Sequence, residues 1–182
     1  MPVEKFTRAR HKTVAAAVSV GLLIGAPVAP VAPVAPAVHA TSLLLCTGTE
    51  TVTYQPPLTN TATSTHVHYA INLAHCVGGV ASGESDGDFT LTTDCTVLNV
   101  LPPAFSDTYQ WNTRASSTAT YTAPVLTQVN GSLVVTDTGT VTAGFDSGAV
   151  ANETTTLPEP NLTLCATTGV AQVNGPYVLT FG

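Results

Sequence analysis

Positive charge is almost absent from this chain. Of its five Lys and Arg residues, four lie within the first twelve positions, and only Arg114 follows them. From residue 41 onward this single positive charge faces ten Asp and Glu residues, which gives a net charge of about −9. So acidic a chain repels phosphate backbones and anionic lipid headgroups, so we expect neither nucleic acid nor a membrane surface as a partner.

Long apolar segments are also missing. The longest, TVAAAVSVGLLIGA near the N terminus, is shorter than the roughly twenty residues that a membrane-spanning helix needs. It follows the four early basic residues and precedes the proline-rich stretch PVAPVAPVAPA, an order typical of an export signal. We interpret residues 1–40 as a secretory signal peptide with a Pro-Val-Ala spacer. Cleavage after Ala40, or nearer Ala26, predicts a secreted protein that is not inserted in the membrane.

The remaining residues, 41–182, are enough for one domain with a sizeable core. All four cysteines lie in this part of the chain, and an even number of cysteines in an exported protein predicts two disulfides.

The same part contains no convincing amphipathic helix, but it holds thirty threonines and alternates apolar with polar residues. A period of two is typical of half-buried strands. About eight short strands without intervening helices predict an all-β antiparallel sandwich, immunoglobulin-like or Greek-key, with a closed β-barrel as the alternative. The candidate strands are residues 48–55, 65–74, 89–95, 107–112, 117–129, 132–143, 150–157 and, with interruptions, 162–181.

Two Asn-Gly pairs, Asn130-Gly131 and Asn174-Gly175, each lie between strand-forming residues. Asn-Gly favours the type I′ turn of a two-residue hairpin, because both central residues need positive φ. We therefore expect a hairpin at each pair.

Strand direction favours one disulfide pairing. If the first two strands form a hairpin around PPLTN, pairing Tyr54 with His68 places Cys46 opposite Cys76. Cys95 would then lie at the other end of the sheet. We therefore prefer Cys46–Cys76 with Cys95–Cys165 over the other two connectivities.

His66 and His68 are two residues apart in a predicted strand, so their side chains share one face. Two such imidazoles can bind zinc or copper. His75 has the opposite parity and faces away unless a bulge intervenes. A metal site at His66 and His68 is therefore one hypothesis, and histidines on a solvated strand face are the other.

Three further residues are candidates for ligand contact. Tyr109 and Trp111 share a strand face, where they could stack on a sugar ring if exposed or pack in the core if buried. Arg114 is the lone cation in a predicted turn, WNTRASS, and an exposed turn of this kind could engage a hydrolase as an inhibitor.

The segments CTGTETVTYQPPLTNT, VVTDTGTVTAG and LPEPNLTLC resemble those of small, secreted, Thr-rich all-β proteins of actinobacteria that have no assigned function. The resemblance implies secretion and a disulfide-bonded all-β fold, and it implies no catalytic residue.

No combination of acid, base and nucleophile stands out in the sequence. We therefore expect a non-enzymatic extracellular domain without a cofactor, which binds a protein, a glycan or a small molecule through its loops or an edge strand. The alternatives are a metal-binding protein and a hydrolase inhibitor.

Overall fold

Inward and outward side chains alternate along most strands of the structure, a computed structural model that describes residues 43–95, 104–122 and 124–182. On the first strand, for example, Leu44 and Cys46 are fully buried, whereas Leu45 and Thr47 point outward. The alternation confirms the all-β prediction. The predicted signal peptide and spacer, residues 1–40, lie outside the described residues.

Within those residues the structure has nine strands and one short helix, and no helix there is long and apolar enough to cross a membrane. The elements are β1 (Leu44–Leu58), β2 (Thr63–Val77), β3 (Gly83–Thr93), β4 (Phe105–Trp111), β5 (Ser116–Tyr121), β6 (Val125–Val129), β7 (Ser132–Gly144), β8 (Val150–Pro158), α1 (Leu162–Cys165) and β9 (Val170–Phe181).

The sheet closes on itself. Its order is β5-β4-β3-β2-β1-β9-β8-β7, all neighbours are antiparallel, and β5 then pairs with β7 from Ser117↔Gly144 to Tyr121↔Gly139. The preferred sandwich prediction is therefore wrong, and the alternative, a closed barrel, is correct. Both folds bury alternate residues of every strand, so periodicity alone does not distinguish them. The β5–β7 pairing decides between them.

β6 extends the barrel wall as a hairpin with the first half of β7. The turn between them is the predicted one, since Asn130 (φ 49°) and Gly131 (φ 79°) both have positive φ. The prediction for Asn174-Gly175 is wrong, because both residues continue within β9 and pair with β1. A Cβ on Gly175 would lie 1.8 Å from the Thr156 carbonyl oxygen, so this glycine permits a close approach to β8.

A β-bulge interrupts the β1–β2 ladder. Thr47 pairs with His75 but Thr49 pairs with Asn72, so β2 has one extra residue opposite Gly48. The predicted pairing of Tyr54 with His68 is therefore wrong by one residue, because Thr53 occupies that position. Cys46 still lies opposite Cys76, beyond the bulge.

The two disulfides have the preferred connectivity. Cys46–Cys76 joins β1 to β2, with Cα atoms 4.1 Å apart. Cys95–Cys165 joins the end of β3 to α1, with Cα atoms 6.0 Å apart. The helix was not predicted. Asn161 caps it by accepting hydrogen bonds from the amides of Thr163 and Leu164.

One end of the barrel interior is filled by side chains. Tyr109 stacks on Trp111 with ring centroids 5.7 Å apart, and Phe181 meets both rings edge-on. Trp111 donates a 2.9 Å hydrogen bond from Nε1 to Ser117 Oγ, which satisfies its buried polar atom. Val141 and Leu179 complete this packed end.

β3 and β4 hold together over only two residue pairs, Gly83↔Trp111 and Glu84↔Gln110. Gly83 is essential to this contact, because a Cβ there would lie 2.4 Å from Cε3 of Trp111. Beyond it, the described parts of the two strands separate.

We expect Gly83→Ala to destabilise the protein by about 1–3 kcal/mol, since the added methyl group overpacks a buried ring. The free energy of unfolding in urea would measure this. Ala81→Val adds bulk at an exposed neighbouring position, and as a control it should change stability by less than about 0.5 kcal/mol. An unchanged Gly83→Ala variant would contradict the close contact.

Candidate functional site

At the other end of the barrel interior, the described residues leave a cavity of about 370 Å³. Its wall is largely apolar and includes Val52, Val67, Leu133, Leu157 and Val173, which belong to five different strands or strand ends of the sheet. The cavity extends between the separated parts of β3 and β4, which contribute Phe89, Leu91 and Phe105 to its lining. A volume of this size is sufficient for one small organic molecule.

Of the five acidic residues that line the cavity, Asp88 is exposed on the outer face of β3, and the other four lie inward, where the cavity meets the packed end. They are Glu50 on β1, Asp107 on β4, Asp137 on β7 and Glu153 on β8. The last three are only 2%, 4% and 7% exposed. Each is at an inward position of its strand, where a barrel of this size ordinarily places an apolar side chain.

Glu153 is held by tyrosines of the packed end. Tyr109 donates a 2.7 Å hydrogen bond to Glu153 Oε2, and the Tyr177 hydroxyl donates to the same oxygen. The Tyr109 hydroxyl is also 2.8 Å from that of Tyr121. The carboxyl group therefore connects the cavity to the aromatic core.

Two of the other acids also have hydroxyl partners. Tyr69 donates from its hydroxyl to Asp107 Oδ1, and Thr155 donates to Glu50 Oε2 at 2.6 Å. These bonds fix both carboxyl groups in orientation. Asp137 differs, because its side chain shares a hydrogen bond with another acid, Glu153, and its buried Oδ1 accepts none from a hydroxyl or amide group of the described residues.

Burial makes these acids hard to ionise. It raises the pKa of Asp107 to about 7, with a further contribution from the negative charge of Glu153. Burial likewise raises the pKa of Glu153 to about 7, although hydrogen bonds from Tyr109 and Tyr177 oppose the rise. The pKa of Asp137 rises to about 6 and that of Glu50 also rises, both mainly through desolvation. Perturbed acids that line one cavity indicate a functional site.

The predicted metal-binding histidines lie elsewhere, on the outer face of β2. His66 Nε2 and His68 Nδ1 lie 3.5 Å and 3.1 Å from Asp88 Oδ1 on β3. Both imidazole rings therefore already have a carboxylate as a polar partner. His75 is exposed as well, because the bulge returns it to the outer face, but it lies seven residues beyond His68. Across the part of the chain that the structure describes, no group of three or more His, Cys, Asp or Glu side chains is arranged to hold a metal ion.

The predicted ligand-contact residues do not form a common surface. Tyr109 and Trp111 are buried at the packed end, which agrees with the core interpretation of that pair and leaves no face for stacking on a sugar. Arg114 lies in the exposed turn between β4 and β5, in the left-handed region with φ 68°.

Sequence reasoning missed the four interior acids. A usable signal was present. Asp107 shares a strand face with Tyr109 and Trp111 in FSDTYQW, and Glu153 shares a strand face with Ala151 and Leu157. Acids that share a strand face with the most apolar residues are candidates for burial.

Comparison with protein-family models, with curated proteins and with solved structures finds no match for this chain. The site is therefore interpreted from its own geometry and chemistry.

We expect the protein to become less stable as the pH rises from about 4.5 to 8. In the unfolded chain Asp107 and Glu153 lose their protons near pH 4, whereas in the folded protein they keep them to about pH 7. Between these values the folded state binds more protons, so its stability is greatest at the acid end and is lost through pH 7. Urea unfolding across this range should show a decrease on the order of a few kcal/mol.

Glu153→Gln tests the origin of this effect. The variant should be more stable than the wild type at pH 8 and should lose part of the pH dependence, because glutamine does not ionise. Glu84→Gln removes an exposed acid of β3 and should follow the wild-type curve. A stability that increases between pH 5 and 7 would contradict the assignment of raised pKa values.

Proposed function

We propose that this protein is a secreted, non-enzymatic binding protein that holds one small, largely apolar molecule inside its barrel. The observation that carries the proposal is the cavity of about 370 Å³, which is lined largely by inward side chains of the sheet. Eight-stranded barrels have interiors that are either filled by side chains or able to hold one small ligand. In this barrel, the described side chains fill the end around Tyr109 and Trp111 and leave a cavity beyond it.

The energetics of packing favour a bound ligand in the cavity. An unfilled apolar cavity lowers stability, because its lining loses van der Waals contacts that a filled core would provide. The wall has several valines, Val52, Val67, Val135 and Val173, where larger side chains could reduce the space. A ligand that fills the cavity would recover those contacts on binding.

The proposed location follows from the disulfides and from the N-terminal sequence. Two disulfides, with no free cysteine among the described residues, are compatible with an extracellular environment. The signal peptide inferred for residues 1–40 supplies the route of export. The resemblance to secreted Thr-rich proteins supports the same location, and it adds no ligand because that group has no assigned function.

The barrel changes where binding is expected. Binding through an edge strand was proposed for an open sandwich, but closure gives most strands a partner on each side. The interior cavity replaces the edge as the favoured surface. Metal binding at His66 and His68, and inhibition through Arg114, stay predictions that no contact in the structure favours.

We expect the purified protein to bind N-phenyl-1-naphthylamine, a neutral apolar dye whose fluorescence increases in apolar surroundings, at one molecule per chain. Val173→Trp should reduce the affinity by about tenfold or more, because the indole would occupy the cavity. Fluorescence titration would give both values.

Val178→Trp provides the matched control, since Val178 lies on the outward side of the same strand. It should leave the dye affinity unchanged. Absence of binding to the wild type, or equal affinities for the two tryptophan variants, would rule out the interior as the binding site.

A further inference from the structure

We propose that the ligand carries a cationic amine, which the carboxyl groups of Asp107, Asp137 and Glu153 recognise while its apolar body lies against the cavity wall. This inference rests on the proposed function and specifies the class of ligand.

The polar and apolar parts of the cavity are separated along the barrel. On β8, the inward residues run from Glu153 through Thr155 to Leu157, and on β7 they run from Asp137 through Val135 to Leu133. The acids therefore lie next to the packed end, and the aliphatic residues lie farther from it. A molecule with one polar end and an apolar body matches this order.

Among the described residues, no lysine or arginine pairs with these acids. From residue 13 to residue 182 the sequence contains no Lys and a single Arg, and Arg114 lies in an exposed turn. Buried carboxylates destabilise the folded state unless they are paired. A positively charged ligand would supply the missing partner.

Asp137 offers the most direct contact. The residue is 4% exposed and lines the cavity. Its side chain shares a hydrogen bond with Glu153, but its Oδ1 accepts none from a hydroxyl or amide group of the described residues. Buried polar atoms in native proteins are nearly always hydrogen-bonded, so an unpaired carboxyl oxygen facing a cavity indicates a place for a donor. An ammonium group supplies both the donor and the charge.

An organic cation fits better than a metal ion. Calcium requires six to eight oxygen ligands around one point, and no three acidic side chains of the described residues are arranged in that way. The hydroxyls of Tyr69, Tyr109 and Tyr177 already occupy oxygens of Asp107 and Glu153. An ammonium group needs only one or two further acceptors, and the apolar wall needs a hydrocarbon body.

The test uses two probes of nearly the same shape, 2-(1-naphthyl)ethylamine and 2-(1-naphthyl)ethanol. Their affinities are measured by calorimetry at pH 8 and by competition with N-phenyl-1-naphthylamine. We expect the wild type to bind the amine about tenfold more tightly than the alcohol, since hydrogen bonds to charged groups are stronger than neutral ones. Asp137→Asn should reduce that preference at least about threefold.

Asp86→Asn is the matched control, because it removes one negative charge from the outer face of β3. It should keep the preference for the amine. Binding of the dye by each variant shows that its barrel is folded. If Asp137→Asn does not bind the dye, Asp107→Asn replaces it, with the same expected loss of preference for the amine.

The outcomes separate the two proposals. Equal affinity for the amine and the alcohol, in a protein that binds the dye, overturns the amine proposal and leaves the interior binding site intact. Equal loss of preference in Asp137→Asn and Asp86→Asn also overturns it, because a general charge effect would then be responsible. Stabilisation by calcium chloride but not by the amine would indicate a metal site instead. Failure to bind the dye or either naphthyl probe removes both proposals.

Discussion

Four carboxyl groups inside a closed barrel impose the main physical constraint on this structure. Buried acids either keep their protons or need partners, and the chain has only one cation beyond residue 12. Hydroxyl groups of other strands supply partners instead, by donating hydrogen bonds to Glu50, Asp107 and Glu153. The rest of the interior is arranged around this polar layer, with the aromatic core on one side and the cavity on the other.

The packed end makes such an interior tolerable. Stacked Tyr109 and Trp111, with Phe181 at their edges, exclude water from one side of the polar layer, and the Cys46–Cys76 disulfide ties the same end of β1 and β2. Their burial offsets part of what the acids and the unfilled volume cost. The two ends therefore have separate roles, since one stabilises the barrel and the other leaves room for a ligand.

Much of the architecture could be predicted from the sequence. The period of two, the turn at Asn130-Gly131 and the pairing of Cys46 with Cys76 depend on local chemistry and strand direction, and all three are present. The closure of the sheet could not be predicted, because it depends on a long-range pairing between β5 and β7 that leaves no mark on periodicity. The second Asn-Gly pair was misread for a similar reason, since contact with β8 fixes the backbone at Gly175.

The site was missed because a general expectation was applied to every acid. Scattered Asp and Glu residues usually keep an exported protein soluble, and for Glu84, Asp86 and Asp88, which are exposed on β3, that interpretation agrees with the structure. Asp107 and Glu153 differ in parity, since each lies two residues from buried side chains of its own strand and shares their inward face. Parity shows which face an acid occupies, but only the closed barrel brings acids from β1, β4, β7 and β8 around one volume.

The weak junction between β3 and β4 adds a dynamic aspect to this arrangement. Two residue pairs join these strands near the packed end, and their described parts separate where the cavity lies between them. Local opening costs least where backbone pairing is sparse, so the wall is weakest beside the cavity and strongest around the aromatic core. A ligand that enters there would meet aromatic and acidic side chains together, since Phe89 and Phe105 line the cavity on the same strands as Asp88 and Asp107.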